Sequence, residues 1–237
     1  MRTAATDDSR SLRRALASRL CGLYAVTPDQ TDTAALLARV EAALEGGASA
    51  IQYRSKIADA ALRARQAAAI VRATAARGGL CIVNDDARLC AAVGADGVHL
   101  GESDGSVAAA RAIIGPEPII GVSCYNDLGL AEAAVAAGAD YVAFGSFYAS
   151  RVKPGARRAD VTLLARAAAL GVPVVAIGGI TAENARELQR AGADAVAVIS
   201  AVFDAPDVEA AARAIAGPWG EQPDGPPGQR DPAGPRH

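Results

Sequence analysis

The chain has 237 residues, and its 24 basic and 26 acidic side chains give a formal net charge of -2 at pH 7. This balance gives no general attraction to nucleic acid or to an anionic membrane surface. Hydrophobic residues make up 51% of the sequence, which excludes a wholly disordered protein, while an aromatic content of 4% argues against a stacking platform for single-stranded nucleic acid. The composition predicts a soluble globular protein with an apolar core.

Histidine and cysteine restrict the chemistry further. The sequence has two histidines, His99 and His237, so a zinc site with several histidine ligands is excluded and a Ser-His-Asp triad would depend on His99 alone. The four cysteines form no CxxC pair, and the start of the chain contains no apolar signal-peptide region. No apolar stretch reaches the ~20 residues that cross a bilayer. We expect a cytoplasmic protein with reduced thiols.

Strands and helices are predicted to alternate along most of the chain. A polar N-terminal extension over residues 1–20 includes a short predicted helix at 11–20. Eight runs rich in β-branched residues follow, separated by stretches with helical periodicity, which predicts a parallel sheet. The predicted strands are 23–26, 50–53, 80–84, 97–100, 119–122, 141–144, 174–177 and 195–199. The predicted helices include 33–44, 60–76, 106–114, 128–137, 161–169, 185–190 and 208–216.

An internal repeat favours a closed barrel. Gly-Ala followed by Ser or Asp begins at Gly47, Gly94, Gly138 and Gly192, each time between a predicted helix and an even-numbered strand. Glycine there supplies the left-handed conformation that ends a helix. Four copies of a two-strand unit predict an α/β fold, a single (βα)8 TIM barrel, with a doubly wound open sheet as the alternative.

The predicted domain organisation has three parts. The N-terminal extension over 1–20 precedes a barrel domain over 21–216. From residue 217 onward, 11 of 21 residues are Gly or Pro, too many for a segment that must bury apolar surface to offset its ordering entropy. Residues 217–237 are therefore predicted to be a disordered tail.

Three polar side chains, two of them cationic, lie at the end of the second predicted strand. Gln52, Arg54 and Lys56 alternate at period two and are predicted to point the same way. In a TIM barrel the carboxyl ends of the strands carry the chemistry, and an inward Arg and Lys are costly to bury unless an anion is present. The sequence indicates an anion site here, or a solvated strand end that pairs with a neighbouring loop.

Carboxylates follow the third and fourth predicted strands. The third strand ends at Asn84 and is followed by Asp85 and Asp86, and the segment after the fourth strand is also acidic. Carboxylates from adjacent strands can share Mg²⁺, which prefers one or two of them together with water and substrate phosphates. We expect Asp85 to bind metal and Asp86 to cap the following helix. His99, on an apolar strand, is predicted to be a structural residue.

The later strands indicate a second anion site. The fifth strand ends at Ser123, and the sixth runs into a long loop at 145–155, which suits either a mobile cover over a phosphate or a solvated surface loop. Gly178 and Gly179 follow the seventh strand and Ser200 follows the eighth, where many barrels bind phosphate. Two anion sites suggest two phosphorylated substrates, and a metal beside Arg and Lys suggests that one is a diphosphate.

Taken in order, these residues resemble the thiamine phosphate synthase (thiamine-phosphate pyrophosphorylase) family. The resemblance covers about residues 23–203. It rests on the sequences QYRSK at 52–56, ND at 84–85, GVHLG at 97–101 continuing to Asp104, GVS at 121–123, GGI at 178–180 and VIS at 198–200. Each is weakly specific alone, and their order and strand positions together are highly specific.

The resemblance implies an activity and a set of site residues. Members couple 4-amino-5-hydroxymethyl-2-methylpyrimidine diphosphate to 4-methyl-5-(2-phosphooxyethyl)thiazole, or to its carboxylated form, and the products are thiamine phosphate and pyrophosphate. The resemblance places Mg²⁺ at Asp85 and Asp104 and the pyrimidine at Gln52, with Ser123 near the reacting centre. It assigns the diphosphate to Arg54, Lys56, Asn84 and Lys153, and the thiazole phosphate to Ser150, Gly179, Ile199 and Ser200.

The implied chemistry needs no protein nucleophile. An electron-rich aminopyrimidine supports a developing methylene cation, so a dissociative displacement is expected, in which Mg²⁺ and the cationic residues Arg54, Lys56 and Lys153 neutralise the departing pyrophosphate. The partners are then two small molecules, with no nucleic acid and no membrane, and a homo-oligomer is compatible with these features.

Three departures from the family pattern affect the loop and its neighbours. Ser150 and Val152 stand where threonines are usual, so one hydroxyl is lost at Val152, and Glu102 stands where glutamine is frequent. The segment 124–126 replaces one that commonly contains histidine. Two other functions are the alternatives: a thiazole tautomerase-like barrel, which the retained Asp85 and Asp104 disfavour, and a non-catalytic phosphate-binding barrel.

Overall fold

The computed structural model describes residues 3–149 and 158–220, which form a closed barrel of eight parallel strands. Neighbours in sequence pair throughout, and the first strand closes the barrel by pairing with the eighth. The strands are β1 (Gly22–Val26), β2 (Ala48–Tyr53), β3 (Leu80–Asn84), β4 (Gly97–Leu100), β5 (Ile119–Tyr125), β6 (Tyr141–Gly145), β7 (Val174–Ile177) and β8 (Ala195–Val198). The predicted TIM barrel is confirmed, and each strand end lies within three residues of its predicted position.

Helices surround the barrel, with at least one after each strand. They are α1 (Thr3–Ala17), α2 (Thr33–Glu45), α3 (Ala60–Ala76), α4 (Ala87–Val93), α5 (Val107–Ile114), α6 (Leu128–Ala136), α7 (Thr162–Ala167), α8 (Ala182–Arg190), α9 (Ser200–Phe203) and α10 (Val208–Gly220). A 3₁₀ turn at Ala168–Leu170 extends α7. No helix in the described part of the chain is long and apolar enough to cross a membrane.

Alternating side chains on the strands build two separate cores. The outward residues pack against the helices, while the inward residues fill the barrel in a second cluster. Ala17 at the end of α1, and Leu20 just after it, are both 1% exposed and join this inner cluster at the amino-terminal end of the barrel. The N-terminal extension therefore covers that end, and the opposite end carries the site.

The internal repeat has a structural role at the start of the strands. The four glycines adopt positive φ angles, 95° at Gly47, 66° at Gly94, 96° at Gly138 and 106° at Gly192. In three copies, the aspartate two residues later accepts a hydrogen bond from a backbone N–H near the start of the preceding strand. The pairs are Asp96 with Cys81, Asp140 with Ile120, and Asp194 with Val174, at 2.7, 2.8 and 2.7 Å.

The last helix extends further than the sequence predicts. Helix α10 continues to Gly220, four residues beyond the expected end at Ala216, and includes Pro218. Trp219 packs against the outer core, and the Gln189 side chain donates a hydrogen bond to the carbonyl of Pro218. The first four residues of the predicted tail are thus part of the fold, and residues 221–237 lie outside the described residues.

Candidate active site

A cavity of about 710 Å³ opens at the carboxyl-terminal end of the barrel. Every strand contributes to its wall, either directly or through the residues that follow it. Arg54 and Asn84 line the cavity, Asp85 and Asp104 lie next to these lining residues, and we call the four the β2–β4 cluster. Gly178, Gly179, Ile199 and Ser200 line another part of the wall, and we call them the β7–β8 cluster.

Asp85 and Asp104 form the acidic part of the β2–β4 cluster. Asp85 directly follows β3, and its N–H donates to the carbonyl of His99 on β4 at 2.8 Å. Oδ2 of Asp104 accepts from the N–H of Gly101 at 2.8 Å, which orients the carboxylate. The two carboxyl groups are close enough to influence each other's protonation. The pKa of Asp85 is raised to about 6, first by partial desolvation and then by the neighbouring Asp104, while Arg54 and Asn84 oppose the rise.

This pair of carboxylates suits Mg²⁺. Two like charges held close together are stabilised by a divalent cation between them, and desolvation together with the neighbouring Asp104 raises the pKa of Asp85 when no cation is present. Within the described ranges, 3–149 and 158–220, no group of three His, Cys, Asp or Glu side chains could hold a metal. The remaining ligands would therefore be water and substrate oxygens, as Mg²⁺ commonly has. Asp86, as predicted, is instead the N-cap of α4 and accepts from the Leu89 N–H at 2.9 Å.

The polar residues at the end of β2 are not all placed alike. Gln52 and Arg54 line the cavity, as the period-two pattern predicts. The Arg54 backbone is held by Thr27, whose Oγ1 lies 2.9 Å from the Arg54 nitrogen. Lys56 lies beyond the end of β2, is exposed, and is not among the residues that line the cavity. Its N–H donates to the Asp29 carboxylate at 2.6 Å, so strand alternation no longer determines where its side chain points.

The β7–β8 cluster lies on another part of the cavity wall. Gly178 and Gly179 have φ angles of 107° and 65°, which glycine adopts without strain. A β-carbon on Gly178 would clash with Ser146, and one on Gly179 would clash with the carbonyl of Ala149, so the loop after β6 packs directly on this backbone. Ser200 is the first residue of α9, a short helix that the sequence did not reveal.

The loop after β6 is described only in part. Residues 146–149 are held against the end of β7, where the N–H of Phe147 donates to the carbonyl of Ile177 and that of Tyr148 to the carbonyl of Gly178. The tyrosine hydroxyl of Tyr148 also donates to Glu187 on α8 at 2.6 Å. Ser150 and Lys153, two of the predicted substrate contacts, lie outside the described residues, as does Val152.

A continuous hydrogen-bonded chain of side chains crosses the barrel beneath the cavity. It consists of Gln52, Tyr24, Tyr141, His99 and Ser123, and we call it the polar chain. Gln52 Nε2 lies 2.9 Å from the Tyr24 hydroxyl, which lies 3.0 Å from the Tyr141 hydroxyl. The Tyr141 hydroxyl lies 3.0 Å from His99 Nδ1, and His99 Nε2 lies 2.9 Å from Ser123 Oγ. Burial lowers the pKa of His99 to about 4, so its imidazole is neutral at pH 7.

His99 is the satisfied structural histidine that the sequence predicts, since both ring nitrogens have partners, and it also lines the cavity. Tyr24 and Tyr141 are the residues that sequence reasoning missed. Their inward positions on β1 and β6 are the signal that could have identified them, because a tyrosine hydroxyl inside a barrel needs a polar partner.

Known proteins are similar to this chain in sequence and in fold. A family model described as thiamine monophosphate synthase (TMP-TENI) matches residues 23–202. The thiamine-phosphate synthase of Chromobacterium violaceum is 57% identical over 202 residues, covering 85% of this chain and 98% of the relative. That of Thiobacillus denitrificans is 58% identical over 192 residues, covering 81% and 91%.

A solved structure agrees with these sequence matches. The thiamine phosphate pyrophosphorylase from Pyrococcus furiosus superposes with a TM-score of 0.77 at 37% identity, covering 87% of this chain and 98% of that one. The resemblance carried by the sequence motifs is thereby confirmed. The family model spans most of the barrel, and the two relatives are more than half identical to this chain over most of their length. This chain therefore belongs to the thiamine monophosphate synthase family and is a transferase of thiamine biosynthesis.

Proposed function

We propose that this transferase joins 4-amino-5-hydroxymethyl-2-methylpyrimidine diphosphate to 4-methyl-5-(2-phosphooxyethyl)thiazole, or to its carboxylated form, with release of pyrophosphate. The observation that supports the proposal is that one cavity is lined on one part of its wall by Arg54 and Asn84, next to the Asp85–Asp104 pair, and on another part by the glycine-rich β7–β8 cluster. A single phosphorylated substrate would need only one of them.

The β2–β4 cluster would take the diphosphate. Mg²⁺ held by Asp85 and Asp104 would supply positive charge to the leaving group when bound. Arg54 and Asn84 line the same part of the cavity and can donate hydrogen bonds to phosphate oxygens. Lys56 and Lys153 are proposed to reach the diphosphate from the loops, as the family pattern implies.

The β7–β8 cluster would take the monophosphate of the thiazole. Gly178 and Gly179 have positive φ angles and carry no side chains, so an anion can approach their N–H groups closely. Ile199 and Ser200 at the start of α9 add further N–H groups and one hydroxyl. Ser150, in the loop after β6, is proposed to contact the same phosphate.

The reaction then needs positioning more than acid–base chemistry. The bond between the pyrimidine methylene carbon and the diphosphate oxygen breaks, and its electron pair leaves with pyrophosphate. The amino-substituted ring stabilises the resulting cation, and the thiazole nitrogen donates its lone pair to form the new carbon–nitrogen bond. Gln52 and Ser123 would orient the pyrimidine, and the cavity would hold both rings in reach of each other.

The test is a substrate-omission assay. With Mg²⁺ and both substrates, the protein should release one pyrophosphate for each thiamine phosphate formed, and omission of either substrate should abolish both products. Excess EDTA should stop the reaction and added Mg²⁺ should restore it. Binding of thiazole phosphate without any pyrophosphate release would instead support a tautomerase-like barrel, and binding without any turnover would support a phosphate-binding barrel.

A further inference from the structure

Thr27 holds the backbone of Arg54 with a single side-chain oxygen. Its Oγ1 accepts a hydrogen bond from the Arg54 N–H at 2.9 Å and donates its own hydrogen to the Arg54 carbonyl at 3.0 Å. A backbone N–H can only donate and a carbonyl can only accept, so the direction of both bonds is fixed. Thr27 is 0% exposed, and neither backbone group of Arg54 has another hydrogen-bond partner among the described residues.

These two bonds replace the sheet ladder where its backbone pairing ends. The register of β1 with β2 runs to Val26 and Gln52, and the Thr27 N–H donates to the Gln52 carbonyl at 2.9 Å. If the parallel ladder continued, the N–H and the carbonyl of Arg54 would both pair with backbone groups that follow β1. The Thr27 hydroxyl takes the place of both groups, so Arg54 is held although it lies just beyond the end of β2.

The segment that carries Thr27 is itself tied to neighbouring elements. The Asp29 carboxylate accepts from the Lys56 N–H at 2.6 Å. The Gln66 side chain on α3 is 1% exposed and donates to the Gln30 carbonyl at 2.8 Å. The position of residues 27–30 is therefore set by the fold around them.

The Arg54 side chain lines the cavity, where its direction matters for an anion. The N–H groups of a guanidinium lie in one plane, so they bind phosphate oxygens well only from certain directions. A side chain whose backbone is already fixed loses less freedom when an anion binds, which strengthens binding. Because the sheet ends before Arg54, the hydroxyl of Thr27 supplies this constraint.

We propose that Thr27 is a positioning residue for the diphosphate: its hydroxyl fixes the Arg54 backbone and thereby directs the Arg54 guanidinium toward the anion. The inference rests on the proposed function, in which Arg54 binds the diphosphate. Thr27 is not among the residues that line the cavity, so it acts through Arg54 and not by contact with the ligand.

Thr27→Val tests the proposal, because valine has nearly the shape of threonine and removes both hydrogen bonds. In calorimetry with Mg²⁺ and pyrophosphate, we expect ~10-fold weaker binding than in the wild type, since the guanidinium is no longer held in position. Thr27→Ser keeps the hydroxyl and should bind pyrophosphate within ~3-fold of the wild type. Both variants should bind thiazole phosphate within ~2-fold of the wild type, because that anion is assigned to the separate β7–β8 cluster.

A double-mutant cycle shows whether Thr27 acts through Arg54. Arg54→Ala should weaken pyrophosphate binding at least ~30-fold, because a charge-assisted contact is lost. In the Arg54→Ala background, Thr27→Val should weaken binding by less than ~2-fold further, since no guanidinium is left to direct. If the effects of the two substitutions simply multiplied, the proposal would be overturned.

Thr74→Val is the matched control. Thr74 is also 0% exposed, and its hydroxyl bonds to the carbonyls of Ile70 and Val71 on α3, away from the cavity lining. The same substitution there removes a buried hydroxyl, so the Tm should fall while the affinity for pyrophosphate equals that of the wild type. An unchanged affinity in Thr27→Val, or an equal fall in Thr27→Val and Thr74→Val, would contradict the proposal.

Hydrogen exchange of the wild type tests the geometry without any ligand. The Arg54 amide should exchange at least ~100-fold more slowly than an unstructured amide, and fast exchange would overturn the proposal even if Thr27→Val failed to fold. The binding measurements separate this inference from the proposed function. If Arg54→Ala bound pyrophosphate as tightly as the wild type, the diphosphate assignment and this inference would both fail. If Arg54→Ala weakened binding and Thr27→Val did not, this inference alone would fail.

Discussion

Asp85 combines an unusual backbone conformation with an unfavourable charge. Its φ angle is 65°, a region that Asp and Asn enter more readily than most residues with a β-carbon. Partial desolvation, and then the neighbouring Asp104, raise its pKa to about 6, so at neutral pH the metal-free fold holds two carboxylates that repel each other. Such strain at a binding site is expected where a cation is to be bound with the substrate.

Replacement of this carboxylate should stabilise the metal-free protein. The ordinary pKa of Asp is 3.8 and that of Asp85 in the fold is about 6, so this group's contribution to stability is complete below about pH 4 and is lost as the pH rises through 6. Asp85→Asn removes that loss. Because the carboxyl is partly exposed and screened by solvent, we expect a gain of about 1 kcal/mol at pH 7.5, or roughly 2–4 °C in Tm, and no gain at pH 4.

Calorimetry in EDTA at both pH values measures this difference. Asp86→Asn is the matched control, since Asn also caps a helix, and its stability should stay within ~0.5 kcal/mol of the wild type. Added Mg²⁺ with pyrophosphate should raise the Tm of the wild type and of Asp86→Asn but not that of Asp85→Asn. A lower Tm for Asp85→Asn at pH 7.5 in EDTA would contradict the assigned repulsion.

At the scale of elements, the junctions after β7 and β8 place the proposed monophosphate site. The loop after β6 lies so close to the end of β7 that only glycine leaves enough room at Gly178 and Gly179. Helix α9 begins directly after β8, so Ser200 enters the cavity wall at a fixed position. The loop after β6, the end of β7 and the start of α9 are thereby held together around one small part of the cavity.

Gly179→Ala should destabilise this junction more than the strain of a positive φ angle alone would. The added β-carbon would overlap the carbonyl of Ala149, so we expect roughly 2–4 kcal/mol of destabilisation and at least a ~10-fold higher KM for thiazole phosphate. Gly94→Ala is the matched control, with φ of 66° against 65° and open space around the added carbon. It should cost only ~1–2 kcal/mol and leave both KM values unchanged. Equal effects of the two substitutions in urea unfolding and kinetics would show that the close contact is unimportant.

Helix α10 makes a separate prediction about the end of the fold. A chain that ends at Gly217 loses the buried Pro218 and also Trp219, which packs on the outer core, and should be destabilised by roughly 1–3 kcal/mol. A chain that ends at Gly220 should keep the Tm and turnover of the full chain, because the Gly- and Pro-rich sequence of 221–237 predicts no core contribution. Thermal unfolding of the two truncated chains distinguishes them, and a Gly220 chain as unstable as the Gly217 chain would contradict this division.

At the scale of the whole molecule, most of the barrel could be predicted because its strands and helices are specified by patterns within short stretches of sequence. Strand alternation, the glycine repeat and helix-capping residues are visible in sequence, and the same alternation correctly placed Gln52 and Arg54 on the cavity. Strand alternation remains reliable only up to about one residue after a strand. The direction of the Lys56 side chain, three residues after the end of β2, could therefore not be predicted. Helix α9 was missed because four residues are too few to show a periodicity.

The polar chain could not be predicted for a different reason. Tyr24 and Tyr141 are separated by 117 residues, and their hydroxyls meet at 3.0 Å because the closure of the barrel brings β1 and β6 to facing positions. Gly121, on the strand beside β6, leaves the space that the Tyr141 ring occupies. Contacts across a barrel depend on the stagger of the strands, which an amino-acid pattern does not state.

The most direct test of the account is a crystal structure of the protein with Mg²⁺, pyrophosphate and thiamine phosphate. We expect the pyrophosphate and the metal at Arg54, Asp85 and Asp104, and the phosphate of thiamine phosphate at Gly179 and Ser200. The difference density would locate both anions without reference to any rate. Pyrophosphate bound at Gly179 and Ser200, or a metal away from both Asp85 and Asp104, would contradict the two-cluster assignment.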